Sequence, residues 1–384
     1  MQARWRYIPE ILTLLIAVFV QFKLAEWLLD THRAQRSEKL RHAIRMATLV
    51  MCLWLFFGFA FSVPEHSSLL PHWPWLTYLR AGAVLWAICS TGTVVLYPLW
   101  KGVERFNPER RRALLVLRDA LAVAPIAAAG YGTFIERSRF RITEVSVAIP
   151  GLPKDLDGLR IAQLTDIHLS AFLSLKELAR VVDMANETRP HLALVTGDII
   201  TGAGDPLEAG MRQLARLRAG AGRLGCLGNH EVYAGTMDLT ASLGARQGIP
   251  FLRHAARRLK FGTATLNVAG VDYQRLREPY LRGVETLIVP GVTNILLSHN
   301  PDVFPVAARQ GWDLTIAGHT HGGQISVEIL GENLSVARRY TPYVHGLYRS
   351  DASAIYVSRG VGTVGVPTRV GAPPEVSLIR LCAI

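Results

Sequence analysis

The run IAGHTHGGQI, Ile316 to Ile325, sets two imidazoles, His319 and His321, among glycines. Four other apolar runs end in residues of the same chemical kind. LRIAQLTDIHLS ends in Asp166 and His168, HLALVTGDII in Asp198, GRLGCLGNHEVY in Asn229 and His230, and VTNILLSHNPD in His299. Imidazole nitrogens, carboxylates and an amide oxygen are metal ligands. Their mixture, with no thiolate among them, suits Mn, Fe or Zn better than the all-oxygen sites of Mg and Ca. A lone histidine at a strand end is more often structural than a ligand, and D-x-H or G-D alone is a weak signal. Five such segments in order, each closing an apolar run, point to one site. The donors are too many for one ion and about right for two.

These residues need strands to carry them. The five runs read as short buried strands, and helical patterns separate several of them. In LSLKELARVVDMANE, for example, Leu175, Leu178 and Val182 share a face. In open α/β sheets ligands bind at the C-terminal edge of the strands, where these residues stand. Residues i and i+2 of an extended strand face one side. The spacing therefore predicts Asp166 with His168, and His319 with His321, as same-face pairs. Gly318, Gly322 and Gly323 let the backbone turn tightly beside them.

The first third of the chain has a different character. Half of the 384 residues are hydrophobic, and before about residue 135 they fall in long blocks. Spans are expected over about 9–29, 46–63, 81–100 and 113–133, the last weakened by Arg118, Asp119 and Pro125. Two loops are basic: DTHRAQRSEKLRHAIR with Arg33, Arg36, Lys39, Arg41 and Arg45, and KGVERFNPERRR with Lys101, Arg105 and Arg110 to Arg112. The loop between them, PEHSSLLPHWPW, holds no Lys or Arg, and its Trp73 and Trp75 suit a membrane interface. The positive-inside rule then places both basic loops in the cytoplasm and, with four spans, residues 142–384 outside it. A removable signal peptide is not expected, because three further blocks follow the first.

The net charge of +12 reads first as topological, because Arg and Lys crowd those loops. No basic face interleaved with aromatics marks a nucleic-acid site. The four cysteines show no metal spacing and read as small core residues.

With these residues in hand, TDIH, TGDI, LGNHE, LSHN and AGHTHGG together resemble the calcineurin-like metallophosphoesterases over about residues 142–384. The tail YVSRGVGTVGVPTRVGAPPEV resembles the bacterial membrane-associated branch. The resemblance implies an α/β (α+β) fold, a four-layer αββα β-sandwich, here behind an N-terminal helical membrane domain of about four transmembrane helices over 1–135. It implies two divalent ions (Mn, Fe or Zn). Asp166, His168 and His321 would hold the first, Asn229, His299 and His319 the second, and Asp198 would bridge them. His230 would contact the phosphate and help the leaving group depart. One departure stands out: Thr201 in GDIITGAG occupies the place where many members carry an acid that orients the histidine matching His230. Asp205 is a candidate substitute.

The expected function is hydrolysis of a phosphate ester, with a diester favoured by the resemblance, by a hydroxide activated between two metals. Glu231 is expected to be structural. The membrane tether suggests a lipid-linked or envelope phosphoester as substrate. A non-catalytic membrane receptor or scaffold retaining the metal site would be marked by loss of His230, which is present. A transporter would want charges at mid-depth in the spans. A cytoplasmic lipid-precursor pyrophosphatase would share the site and differ in topology. Arg253, Arg257, Arg258 and Lys260 form a basic cluster that reads more readily as a solvated hairpin than as a head-group site.

Overall fold

The computed structural model describes residues 8–30, 32–60, 74–102, 124, 127–274, 280–329 and 332–383. Two compact units result, Met1–Tyr131 and Gly132–Ile384.

The first unit is built from helices Ile8–Leu29, His32–Arg36, Glu38–Ala60 and Pro74–Gly102. Two stretches, Ile11–Leu29 and Glu38–Phe59, are long and apolar enough to cross a membrane. Only 22% and 17% of their apolar windows are buried inside the protein, so Leu15, Phe19, Leu53 and Phe56 point outward. A core helix of a soluble protein would bury that face. The second of these helices begins eight residues before the expected start at 46, because Ser37 caps it: its hydroxyl accepts Leu40 N–H at 3.3 Å. Arg41 and Arg45, expected in a loop, lie on its first turns. The third expected span falls within Pro74–Gly102, whose apolar stretch Ala81–Val95 is shorter. The fourth falls largely outside the described residues; 127–134 are helical. Ala17, Leu55, Phe59, Ala83 and Ala87 pack the bundle centre. Gln21 joins two helices there, donating to Ser90 Oγ at 3.2 Å and accepting from Trp86 Nε1 at 3.1 Å.

The second unit holds two large mixed sheets. One has β1 (Arg141–Ile149), β2 (Arg160–Leu164), β3 (Leu192–Thr196), β4 (Arg223–Cys226) and β13 (Glu375–Ala383) in the order β1-β13-β2-β3-β4. The other has β5 (Ala255–Phe261), β6 (Ala264–Gly270), β7 (Thr293–Leu297), β8 (Leu314–Ala317), β11 (Gly346–Ser350) and β12 (Ser353–Val357) in the order β11-β12-β8-β7-β6-β5. β2, β3 and β4 are mutually parallel, as are β6, β7, β8 and β12. A hairpin, β9 (Ser326–Ile329) with β10 (Glu332–Ser335), stands apart.

The period of two divides each strand between two cores. Leu192 and Leu194 join Leu266, Ile295 and Leu314 in one, whereas Ala193 and Val195 join Leu178, Val182 and Met211 in another. Val182 belongs to helix Leu175–Glu187, which a Ser174–Glu177 capping box starts. Leu296 turns away from Ile295 to pack with Trp312. At the edge of the second sheet, Arg257, Arg258 and Lys260 are exposed on β5, charges that suit an edge strand. Arg253 leaves that cluster: its Nε bonds Asp272 at 2.9 Å. The cysteines are all free.

Candidate metal centre

The five strands that end in candidate ligands do not share a sheet. β2, β3 and β4 belong to one and β7 and β8 to the other. The site therefore forms where the C-terminal edges of two sheets meet. Gln163 pins them together beneath it, with Nε2 donating to Thr196 Oγ1 at 2.8 Å and to the Ala317 carbonyl at 2.9 Å.

The same-face argument is corrected here. β2 stops at Leu164 and β8 at Ala317, so both pairs lie beyond their strands. Asp166, His168, Asp198, His319 and His321 adopt φ of 51°, 48°, 54°, 76° and 53°. Left-handed backbone at non-glycine residues is costly and gathers where a site requires it. It turns His319 and His321 into different donor groups. Asp166, His168 and His321 form one, and Asp198, His299 and His319 another; His168, Asp198 and His230 form a third between them. Within each, the donor atoms lie within 4.8 Å of one another.

The donor atoms stand close together. His168 Nε2 is 3.1 Å from His321 Nε2 and 3.6 Å from Asp198 Oδ2. His321 Nε2 is 3.4 Å from Asp166 Oδ1, and His299 Nε2 is 3.0 Å from Asp198 Oδ2. At 3.1 Å one of these nitrogens can donate its N–H to the lone pair of the other with both rings neutral, and burial keeps them so, pushing His168 down to about 3 and His321 well below its ordinary value. Burial also lowers His319, to about 4. Burial works against a charged His299 too, but the Asp198 and Asp166 carboxylates overcome it and raise it to about 10. Burial raises Asp166 to about 6; for Asp198 the opposing histidines, His299 foremost, outweigh burial and hold it well below the carboxylate range.

Asn229 opens helix Asn229–Tyr233, and His230 N–H donates to Asp198 Oδ1 at 2.9 Å, which sets Asn229 beside Asp198. Asn229 Oδ1 and His299 Nε2 are buried and make no aligned hydrogen bond. Buried polar atoms without partners are rare; Asn229 Oδ1 has none and His299 Nε2 faces only the Asp198 carboxylate, at 3.0 Å, so these two candidate ligands mark where an ion fits. Thus all seven candidate ligands and His230 come to one edge, with Asp198 common to two donor groups.

Backbone and neighbours fix the orientations. The Thr196 carbonyl lies 2.7 Å from His299 Nδ1 and can only accept, so that nitrogen carries the proton and Nε2 faces the site. Glu231, expected to be structural, is buried and accepts from Gly228 N–H at 2.8 Å, Asp198 N–H at 3.0 Å and Ile199 N–H at 2.8 Å. It ties the loop after β3 to the loop after β4. Gly228 must be glycine, because a Cβ there would overlap the Asp198 carboxylate.

Thr201 is not an empty substitution for an acid. Its carbonyl lies 2.8 Å from His230 Nδ1 and its hydroxyl 3.2 Å from His168 Nδ1. Asp205 holds the Thr201 turn by accepting the N–H groups of Thr201 and Gly202 at 2.9 and 2.7 Å.

Sequence reasoning passed over three neighbours. Arg369, fully buried, donates to the carbonyls of Gly362, Arg359, Ala372 and His321, and its Nη2 lies 3.4 Å from His321 Nδ1. It sits in the quoted tail, which was the available signal. Tyr233 stands edge-on to His230 at 5.5 Å and Tyr273 tilts over His319 at 5.6 Å. Nothing in their local sequence distinguishes them.

The sequence model of the calcineurin-like phosphoesterases matches residues 159–323. The chain is 30% identical over 278 residues to the uncharacterized metallophosphoesterase YkuE of Bacillus subtilis, covering 71% of this chain and 97% of that one. It is 27% identical to the phosphodiesterase YaeI of Escherichia coli, covering 71% and 98%. It is 29% identical to a transmembrane protein with metallophosphoesterase domain of Danio rerio, covering 68% and 62%.

Proposed function

The chain belongs to the calcineurin-like phosphoesterase family, and from that premise we propose that it is a membrane-anchored phosphodiesterase working with two divalent ions. The family implies a metal-dependent phosphoester hydrolase. The observation that carries the finer reading is Asp198, whose carboxylate groups with His299 and His319 on one side and with His168 and His230 on the other. In this reading Asp166, His168 and His321 hold one ion, Asn229, His299 and His319 the other, and Asp198 bridges. The layers are helix, sheet, sheet, helix, with residues 142–384 as the catalytic domain.

When bound, the ions supply Lewis acidity and lower the pKa of a water between them. The chain's own groups do the rest. His230 presents Nε2 to the site because Nδ1–H is committed to the Thr201 carbonyl. As an imidazolium it delivers the Nε2 proton to the departing oxygen. Its ring stands edge-on to His168 at 4.6 Å, which fixes its position beside the donor groups. Tyr233 and Tyr273 pack on the rings of His230 and His319 and help hold them in place. The buried carboxylates keep the ions while charge builds on the phosphoryl oxygens.

The diester preference draws on the Escherichia coli relative's name and the membrane anchor on that of the Danio rerio relative. The outward-facing helices support the anchor, and the two basic loops, taken with four spans, favour an extracytoplasmic side of a bacterial cell membrane for residues 142–384. A lipid-linked or envelope phosphoester is then within reach. The test is hydrolysis of an aryl phosphodiester and an aryl phosphomonoester by the full chain, metal-free and with Mn, beside Asp198→Ala and His230→Ala. The reading expects metal-restored turnover, faster on the diester, and its loss in Asp198→Ala.

A further inference from the structure

The segment that follows the GHTHGG turn carries an apolar rim. Hairpin β9–β10 begins three residues after Gly323, and Ser335 on its return strand packs directly on Gly323, where a Cβ would overlap it. Beyond Ser335 the chain makes one turn, Ala337–Arg339, and re-enters the core at Thr341, whose hydroxyl donates to Asp302 at 2.6 Å. In that short excursion Leu334, Val336 and Tyr340 are 57%, 69% and 75% exposed. Arg338 and Arg339 are exposed between them. Large apolar side chains clustered on a surface mark an interaction site.

A second exposed pair is linked to the hairpin through the backbone. Ser326, which pairs with Ser335, donates its N–H to the Val370 carbonyl at 2.8 Å; Arg369 N–H bonds the Gly132 carbonyl at 3.2 Å, and Thr368 and Thr133 share a hydroxyl contact of 2.6 Å. Phe134 and Ile135 follow directly, 81% and 53% exposed.

We propose that the rim of Leu334, Val336 and Tyr340, with Arg338 and Arg339, inserts into the headgroup layer of an anionic bilayer and so draws the metal-binding edge onto lipid-borne phosphoesters. The composition selects the partner. Aliphatic and aromatic side chains enter the boundary between headgroups and acyl chains, an aromatic ring sits at headgroup level, and arginines pair with anionic lipid phosphates. The same chain contains two helices able to cross a membrane, so a bilayer is present at high effective concentration and weak insertion suffices. The substrate consequence rests on the phosphoesterase reading; the docking does not.

The test uses the full chain in nanodiscs of equimolar phosphatidylcholine and phosphatidylglycerol. Cys52 and Cys382 are replaced by serine, Val336→Cys carries a nitroxide, and Glu208→Cys on another helix is the control. Collision with oxygen reports lipid and collision with a nickel chelate reports water. The proposal expects oxygen to dominate at position 336 and nickel at 208, with oxygen access at 336 falling about tenfold when Arg338→Gln and Arg339→Gln are combined or phosphatidylcholine is used alone. A label at 336 as wet as that at 208 overturns it. So does a label shielded from both reagents, which would identify a protein covering the rim. A chain that fails to enter nanodiscs overturns the docking and the membrane anchor together. Turnover of a soluble aryl diester, measured on the same variants, is expected unchanged; if wild type shows none, the phosphoesterase reading falls while the docking result stands.

Discussion

The carbonyl of Thr201 lies 2.8 Å from His230 Nδ1, while the hydroxyl of the same residue lies 3.2 Å from His168 Nδ1. One residue thus orients a proposed ligand through its side chain and the proposed proton donor through its backbone. Thr201→Val removes the hydroxyl and keeps the carbonyl. Metal affinity is expected to fall about tenfold or more, as for other lost ligand-orienting hydrogen bonds. The ratio of rates for activated and unactivated leaving groups should stay constant. Titration calorimetry and a leaving-group series check the two halves.

Asp205→Ala acts on the other arm. Without the carboxylate the Thr201 and Gly202 N–H groups lose their acceptor and the turn carrying the His230 acceptor loosens. Turnover of esters with poor leaving groups should fall about tenfold or more, since they need the proton most. Activated aryl esters should fall less, and equal losses on both would contradict the assignment.

Filling the site must displace a proton. In the metal-free protein His299 is raised to about 10 by Asp198 and Asp166 despite burial, so near neutral pH its Nε2 carries a proton that an ion must expel. Affinity is therefore expected to increase as pH rises from neutrality toward 10. His168 and His319, lowered to about 3 and about 4, are already neutral and add nothing to that slope. Calorimetry in buffers of different ionisation enthalpy would read the released proton; enthalpies independent of buffer would contradict the prediction.

Gly228→Ala is expected to cost about 1–3 kcal/mol, the range for overpacking a closed interior. The added Cβ meets the Asp198 carboxylate and backbone, neither of which is a flexible side-chain end. A thermal melt of the metal-free chain should show the loss, and metal should recover little of it because Asp198 itself is displaced.

Much of this arrangement could be read from the chain. The ligand-bearing strands were visible as apolar runs, because each is buried on both faces, and their ends were marked by residues that apolar runs seldom contain. The geometry at those ends was not visible. Period-two reasoning presumes extended backbone, and Asp166, His168, His319 and His321 leave it for the left-handed region immediately beyond their strands. Nor could the division among sheets be seen, because it depends on pairings such as β13 with β2 across more than half of the second unit. Glu231 and Arg369 act on residues 32 and 48 positions away, and no local pattern announces such contacts.

The measurement closest to the central claim is metal stoichiometry taken together with turnover. Chelated full-length protein titrated with Mn is expected to bind about two ions per chain and to hydrolyse an aryl phosphodiester only when both are bound. Asp198→Ala should lose the paired site and the activity together. Two ions bound with neither aryl ester hydrolysed, or full activity in Asp198→Ala, would contradict the two-metal phosphodiesterase.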